Sequence, residues 1–309
     1  MTSSGRYHPG ERTAQTRAGV LERADRASGL IGAIVPPVAA DYLAHQPMVV
    51  VAAADEAGHM WASLLTGRPG FAVADGDRAI VISALPLPGD PLEKALRSRA
   101  KVGTIALEPD SHRRMRVNGR ADPIPGGLRI EADQVFSNCG KYIQTRTPRR
   151  LASPLPPPQT VAGPVLTPQQ QRAVAGADTF FIATRSADGD ADASHRGGNP
   201  GFVEVVSPTT LRWPDYVGNA MMMTLGNLEQ DPSAGLLLID WDAGTTWQLT
   251  GTAHVDWQPP STDRLPGSER VINFQLTRVV QTIHASPLTW SAPGYSRFNP
   301  SLRPTGQDG

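Results

Sequence analysis

Cysteine is nearly missing: Cys139 stands alone in 309 residues, so no intrachain disulfide can form and the usage fits a reducing compartment. Net charge is missing too, because 29 Lys plus Arg balance 29 Asp plus Glu. A neutral chain lacks the electrostatic footprint of a general nucleic-acid or membrane-surface binder. No run approaches the roughly 18 apolar residues of a membrane span. The start, MTSSGRYHPGERTAQTRAGV, carries charges and no continuous apolar segment, unlike a signal peptide or an anchor. These absences lead to the expectation of a cytoplasmic protein without nucleic-acid or membrane partners. The seven histidines show no paired metal spacing, and with one cysteine a structural zinc is not expected. Cys139 has no nearby His to activate it and reads as a small buried or half-buried thiol.

What is present is enough for two folded domains: 309 residues, 39% of them hydrophobic. An internal repeat organises them. MVVVAA (Met48 to Ala53), a polar turn and WASLLTGRPGF are answered by TFFIAT (Thr179 to Thr184), a polar turn and DASHRGGNPGF. Ser63 matches Ser194 and Phe71 matches Phe202, both 131 residues on. Gly103 in KVGTIAL matches Gly235 in SAGLLLI, and Gly119 in RVNGRA matches Gly251 in QLTGTA, both 132 residues on. Four anchors in one order at nearly one offset make the chain two copies of one unit.

Each copy reads mostly as strand. MVVVAA and TFFIAT are short apolar runs bounded by turn residues, the pattern of buried strands. Ala79 to Ser83 and Thr210 to Trp213 supply another pair. Arg113 to Arg120 alternates, with Arg114, Arg116, Asn118 and Arg120 on one side; the basic face of Arg114, Arg116 and Arg120 reads by default as solvated, with contact to an anionic cofactor or substrate as the alternative. Gln248, Thr250 and Thr252 alternate likewise against Trp247, Leu249 and Gly251. Between strands each copy has one helix-like stretch: Pro91 to Arg99 after a possible Asp90 cap, and Asn219 to Gln230. Met221 to Met223 read as core filling on the second of these helices. Strand-rich units with one helix point to small barrels rather than a doubly wound sheet. GGNPG and TGRPG lack dinucleotide-binding spacing and read as turns.

The join falls in TPRRLASPLPPPQTVAGPVL, residues 147–166, with six prolines. Such a segment is expected to be extended and stiff, without a hydrogen-bonded ladder. Thr167-Pro168-Gln169-Gln170 then reads as a helix start with a capping box. The expected organisation is mainly β with some α: two tandem units, 1–146 and 167–309, around a linker at 147–166. The first few residues and the tail SLRPTGQDG are expected to be poorly ordered.

HPGE, QPMVVVAA, WASLLTGRPGF, RRMRVNGR and NCGKYIQ resemble the pyridoxamine 5′-phosphate oxidase-like, FMN-binding split β-barrel family. ASHRGGNPGFVEV, WPDYVGN, TLGNLEQDPSAGLLL and LTGTA resemble the same superfamily. The resemblance implies two tandem split barrels and a cofactor, FMN by default, with the deazaflavin F420 or haem as alternatives. It implies a flavin at the interface of two barrels, which a tandem chain can form alone or as a homodimer. Carried over residue by residue, Ser194, His195, Arg196 and Gly197 match the strand end at the cofactor. Trp213, Pro214, Asp215, Gly218 and Asn219 match the following loop and helix start. A helix beginning near Asn219 would offer free N–H groups to a phosphate. Relatives often place Arg just after the Gly-Asn, where this chain has Ala220 and Met221, so Lys141, beside Tyr142, becomes a candidate for the phosphate charge. The first copy has Ser63, Leu64, Leu65 and Thr66 at the corresponding positions, with Arg68 just beyond, and reads as a degenerate site. The expected activity is FMN-dependent oxidation or reduction of a small organic molecule, with His195 exchanging a proton and Tyr142 or Trp247 stacking on the ring. The rival readings are an F420-dependent reductase and a non-catalytic flavin- or haem-binding protein.

Overall fold

The computed structural model of the protein describes residues 6–137 and 139–301; residues 1–5 and nearly all of the tail SLRPTGQDG lie outside the described residues. The first sheet is built from β1 (Met48–Ala54), β2 (Met60–Thr66), β3 (Ala72–Asp75), β4 (Ala79–Ile82), β5 (Ala100–Glu108), β6 (Arg113–Ile124) and β7 (Gly127–Ser137), preceded by helices α1 (Pro9–Arg17), α2 (Leu21–Ser28) and α3 (Pro37–Ala44). After β8 (Pro148–Arg150), β9 (Gln159–Gly163) and α4 (Pro168–Gly176), the second sheet has β10 (Thr179–Arg185), β11 (Ala191–Gly197), β12 (Glu204–Ser207), β13 (Thr210–Asp215), β14 (Ser233–Ile239), β15 (Thr246–Asp256) and β16 (Arg270–Ile283). Helix α5 (Met223–Gln230) lies between β13 and β14, and β17 (Leu288–Trp290) is the last element among the described residues.

The strand orders are β2-β1-β5-β6-β7-β4-β3 and β11-β10-β14-β15-β16-β13-β12. They correspond strand for strand, so the chain is two tandem split barrels. Even the irregularities repeat. β6 slips register between Asn118 and Gly119 against β7, and β15 slips between Thr250 and Gly251 against β16. Glycine is required at both bulges because a Cβ would strike the carbonyl oxygen of Glu131 or of Gln275.

The apolar runs are continuous because both of their faces are covered. Val49, Val51 and Ala53 of β1 enter the first barrel's core with Trp61, Ile80 and Val102. Met48, Val50 and Ala52 face outward into a separate cluster with Phe181, Ala183, Ala193 and Leu237 of the second barrel. That cluster is the seam between barrels. Gly103 and Gly235 sit on it: a Cβ on Gly103 would lie 2.6 Å from Asp192 Cα, and one on Gly235 2.7 Å from Trp61 Cα. The same covering corrects the solvated reading of the β6 face. Arg116 and Asn118 are buried and Arg114 half-buried, because their side meets β11 rather than water.

Three further expectations are corrected. Pro91 to Arg99 is turns with only a short 3₁₀ segment, Ala95–Arg97. Asp90 does cap, accepting from Leu92 N–H at 2.8 Å, but Leu92 and Leu96 dive into the core and β5 begins at Ala100. The segment 147–166 holds two ladders: β8 pairs β17, and β9 pairs the edge of β16. Its prolines leave the five residues of β9 free, and Pro148 stands at a strand's first position, where a missing N–H is tolerated. Finally, α5 starts at Met223, because Ala220 and Met222 have left-handed φ of 68° and 60°. Only Met223 of the three methionines is helical, although Met221 and Met223 are buried as expected.

The capping box at Thr167 and Gln170 is formed, with Thr167 Oγ1 accepting from Gln170 N–H and Gln170 Oε1 from Thr167 N–H. A second box, His8 with Glu11, starts α1. That helix leaves the first unit and crosses onto α5, where Gly226 has its Cα beside Glu11 and Ala14 joins the second barrel's core. No helix among the described residues is long and apolar enough to cross a membrane.

Candidate functional site

A cleft opens on the seam, walled by β6 of the first barrel, by Cys139, Lys141 and Tyr142 just after β7, by the end of β11, and by the segment from Pro214 to Leu225. Its cavity volume is about 130 Å³, and it opens to solvent. Ser194, His195, Arg196, Gly197, Pro214, Asp215, Gly218, Asn219, Lys141 and Tyr142 all line it. Trp213 does not: it is fully buried against Phe180 and Phe274 in the second core. β13 places Trp213 and Pro214 on opposite faces, so one residue of the pair had to turn inward. Trp247 is half-buried on the second barrel's core and does not line the cleft. Cys139 is exposed at the mouth, not buried, with its carbonyl accepting from Arg114 Nη2 at 2.6 Å.

The cleft is cationic. Arg114, Arg116, Arg196 and Lys141 line it, and the carboxylates within reach are already engaged. Asp192 closes on Arg116, which also lies over the Phe136 ring at 4.6 Å, and takes the Ser194 hydroxyl at 3.0 Å. Asp215 is held by Arg270 Nε at 2.9 Å. Arg114 Nε and Arg116 Nε are buried without a hydrogen-bond partner. Burial, reinforced for Arg116 by Arg114 and Arg196, pushes the pKa values of all three guanidiniums down. Such a cluster is stabilised by an anion and opposed by its own repulsion without one.

His195 sits inside this cluster, 4% exposed. Burial, then the charges of Arg114 and Arg196, hold its pKa well below the usual imidazole value, so the ring is neutral. Arg114 Nη1 lies 3.2 Å from Nδ1. A guanidinium only donates, so Nδ1 accepts and the ring's one proton is on Nε2. Nε2 is buried with no protein partner: an orphan donor beside the orphan arginine donors.

The segment after β13 is shaped by its backbone. Asn219 Oδ1 accepts from Met221 N–H at 3.1 Å, closing a turn rather than a helix N-terminus. The helix-dipole contribution expected at Asn219 is therefore displaced to Met223, where Met222, at the cap position, offers no side-chain cap. Left-handed Ala220 and Met222 flank that turn, and Tyr142 is also left-handed at φ 64°. Three non-glycine residues in that region at one cleft mark it as a place where strain is retained. The Tyr142 ring lies tilted 4.9 Å from that of Tyr216, a lining residue that no motif indicated. Lys141 has no ion-pair partner among the described residues; its ammonium lies 5.3 Å from the Phe298 ring.

The corresponding place on the other side of the seam lacks these cations. Gln248 stands where Arg116 does, donating from Nε2 to Ser63 Oγ and to Asp90 Oδ2, both at 3.0 Å. Leu64 and Leu65 replace His195 and Arg196 and are buried in the two adjoining apolar clusters, while Arg68 is exposed.

Residues 166–283 match the family profile described as pyridoxamine 5′-phosphate oxidase. No curated protein sequence matches the chain. Among solved structures, HupZ of Group A Streptococcus is similar at 13% identity, covering 37% of this chain and 92% of its own, with TM-score 0.31. An FMN-binding protein from Syntrophomonas wolfei is similar at 12% identity over 37% of this chain and 84% of its own, TM-score 0.28. An FAD-binding protein from Mycobacterium smegmatis is similar at 12% identity over 41% and 100%, TM-score 0.27. The profile match covers the second barrel alone, residues 166–283, which is therefore similar to the pyridoxamine 5′-phosphate oxidase family, and the first barrel repeats its strand order.

Proposed function

We propose that the cleft binds a flavin mononucleotide, FMN, through its phosphate, and that the chain is a flavin-dependent oxidoreductase for a small organic molecule. The observation that carries this reading is the set of buried orphan donors, Arg114 Nε, Arg116 Nε and His195 Nε2, on a seam between two barrels. Donors of one sign converging on one space are matched by an oxyanion with several acceptors. The cavity volume of about 130 Å³ falls short of the roughly 300–1,000 Å³ of sites that engulf a whole cofactor. A phosphate-sized head suits the part beside the arginines, and a planar ring suits the open side beside Tyr142, Tyr216 and Met222. Lys141 at that mouth supplies a mobile point charge where relatives carry Arg after the Gly-Asn.

A bound flavin would supply the redox chemistry. The chain's own residues bind and orient. Arg114 fixes the His195 tautomer; His195 Nε2–H donates a hydrogen bond into the cleft and is the one proton held there by an imidazole. Tyr142 and Tyr216 cover the mouth. Haem finds little support, since the imidazole's unprotonated nitrogen faces Arg114 rather than the cleft. The absorbance spectrum of the purified protein, with mass spectrometry of the released ligand, tests the cofactor; turnover with reduced nicotinamide tests the enzyme. FMN is expected to bind on the order of 100-fold or more tightly than riboflavin, from two or more charge-assisted hydrogen bonds at about 1.5 kcal/mol each. Equal affinities would remove the phosphate from the arginine cluster and with it this reading.

A further inference from the structure

A second cavity, of about 360 Å³, lies beyond the Arg116–Asp192 pair, with Met223 lining both spaces. Its character is opposite. Where the first gathers guanidiniums, this one gathers carboxylates: Glu11, Asp188 and Asp190 join Asp192. Its basic side chains are committed, Arg120 being forked onto Asp133 at 2.9 and 3.0 Å and Arg6 donating to the Ser28 carbonyl. Asp190 pairs with Lys101, and one oxygen of Glu11 accepts from His8 N–H. The Asp188 carboxylate is exposed and free of any ion pair among the described residues.

An orphan atom points to the missing partner. Asn118, 7% exposed, donates from Nδ2 to Asp192 Oδ1 at 3.1 Å and to Gln134 Oε1 at 3.2 Å. A carboxylate accepts and never donates here, so the amide's orientation is fixed by Asp192. Asn118 Oδ1 is then left buried without a donor. An unmet acceptor among carboxylates, with the Tyr7 ring and the Met223 thioether as apolar wall, calls for a cation that carries several N–H donors on a short carbon chain.

We propose that this cavity binds a small aliphatic ammonium ion, an alkyl amine or diamine, donating to Asn118 Oδ1 and to the Asp188 carboxylate, beside Glu11. The site stands independently of what the cationic cleft holds. The test is calorimetric titration of the full chain with putrescine and, as an uncharged probe of the same length, 1,4-butanediol. One putrescine per chain and no heat from the diol are expected. Asn118→Thr keeps the fold, because Thr250 occupies the same place at the equivalent bulge, and is expected to weaken putrescine about tenfold. Asp188→Asn, on the surface, is expected to weaken it similarly. No putrescine binding at millimolar concentration, binding of the diol as tight as that of the amine, or unchanged affinity in Asn118→Thr would each overturn the proposal. FMN affinity measured on the same sample is read separately, so a failure here leaves the flavin reading standing.

Discussion

Asp192→Asn strips one charge from a pair that is buried on both sides: Arg116 is 4% exposed and Asp192 3%. Arg116 would keep its charge with the Phe136 ring face, Glu11 at longer range, and two neighbouring guanidiniums, Arg114 and Arg196, that repel it. Breaking a buried pair from one side costs about 3–5 kcal/mol, a large part of the 5–15 kcal/mol typical of a folded domain. The new amide has one oxygen for the two neutral donors that Asp192 serves, the Ser194 hydroxyl and Asn118 Nδ2, so the loss is expected near the upper end. Urea unfolding read at the midpoint and slope is the assay. The same substitution frees Arg116 toward the cleft, so inorganic phosphate should raise the variant's midpoint more than the wild type's, by the mass-action relation for a ligand of the folded state. Adding Arg116→Gln, which copies Gln248 on the other side of the seam, should recover most of the stability and abolish the extra phosphate effect. A loss below about 1 kcal/mol for Asp192→Asn, or a double variant no better than the single, would refute the reasoning.

Glu11 gives a pH-dependent expectation: burial raises its pKa to about 7, against roughly 4.3 in an unfolded chain. The folded state therefore keeps this proton across that window while the unfolded state loses it. Its contribution to stability is full below the unfolded pKa and fades as pH rises through about 7, by roughly 3.7 kcal/mol in total. Glu11→Gln should gain on the wild type by most of that amount between pH 5 and 8 in parallel denaturation series, and a flat difference would refute it. His8 and His195, whose pKa values burial lowers, lose stability as pH falls through the imidazole range, but they do so in both proteins and cancel. Gly103→Ala and Gly235→Ala should each cost about 1–3 kcal/mol in thermal melts, because the new Cβ meets the partner barrel's backbone. Gly176→Ala, with open space around it, should be neutral. Cys139, exposed at the cleft mouth, should be alkylated by N-ethylmaleimide more slowly when FMN is bound; equal rates would place the ligand elsewhere.

The repeat was legible because its anchors are positions where the geometry tolerates one residue type. Gly119 and Gly251 sit at bulges, and Gly103 and Gly235 sit where one barrel's backbone presses on the other's. Phe71 and Phe202 each pack on a glycine four residues back, Gly67 or Gly198. The candidate site was legible for a related reason: β11 carries Ser194 to Gly197 in a row, and a strand end is placed by its ladder, Phe181 opposite His195 and Phe180 opposite Arg196. Misreadings arose where the partner surface lies far away in sequence. The alternation of β6 is that of a half-solvated strand, and nothing local reveals that β11, some 80 residues on, covers its polar side. The reach of α1 to the other barrel, through Gly10 and Gly226, has no local signature either. Trp213 went inward because alternation along β13 fixes its face, a constraint that a motif match does not register.

The two sides of the seam show why one chain would carry two barrels. In a pair of identical subunits, any cation placed at the cleft would be placed twice, and so would its repulsion and its desolvation. A tandem chain can change one copy alone. Here the first copy has Leu64, Leu65 and, across the seam, Gln248, whose amide is satisfied by Ser63, Asp90 and the Ala62 carbonyl. Asp90 is half-buried, with its pKa raised by desolvation, and its oxygens accept from Ser63, Leu92 N–H and Gln248, so this side closes on a hydrogen-bonded lock. The other side retains Arg114, Arg116, His195 and Arg196, with donors left over. A fully satisfied polar network rigidifies, while an unsatisfied one costs stability unless a ligand completes it. The locked side therefore holds the barrels in register so that the open side can keep its unmet donors aimed at one point, the arrangement that a preorganised anion site requires.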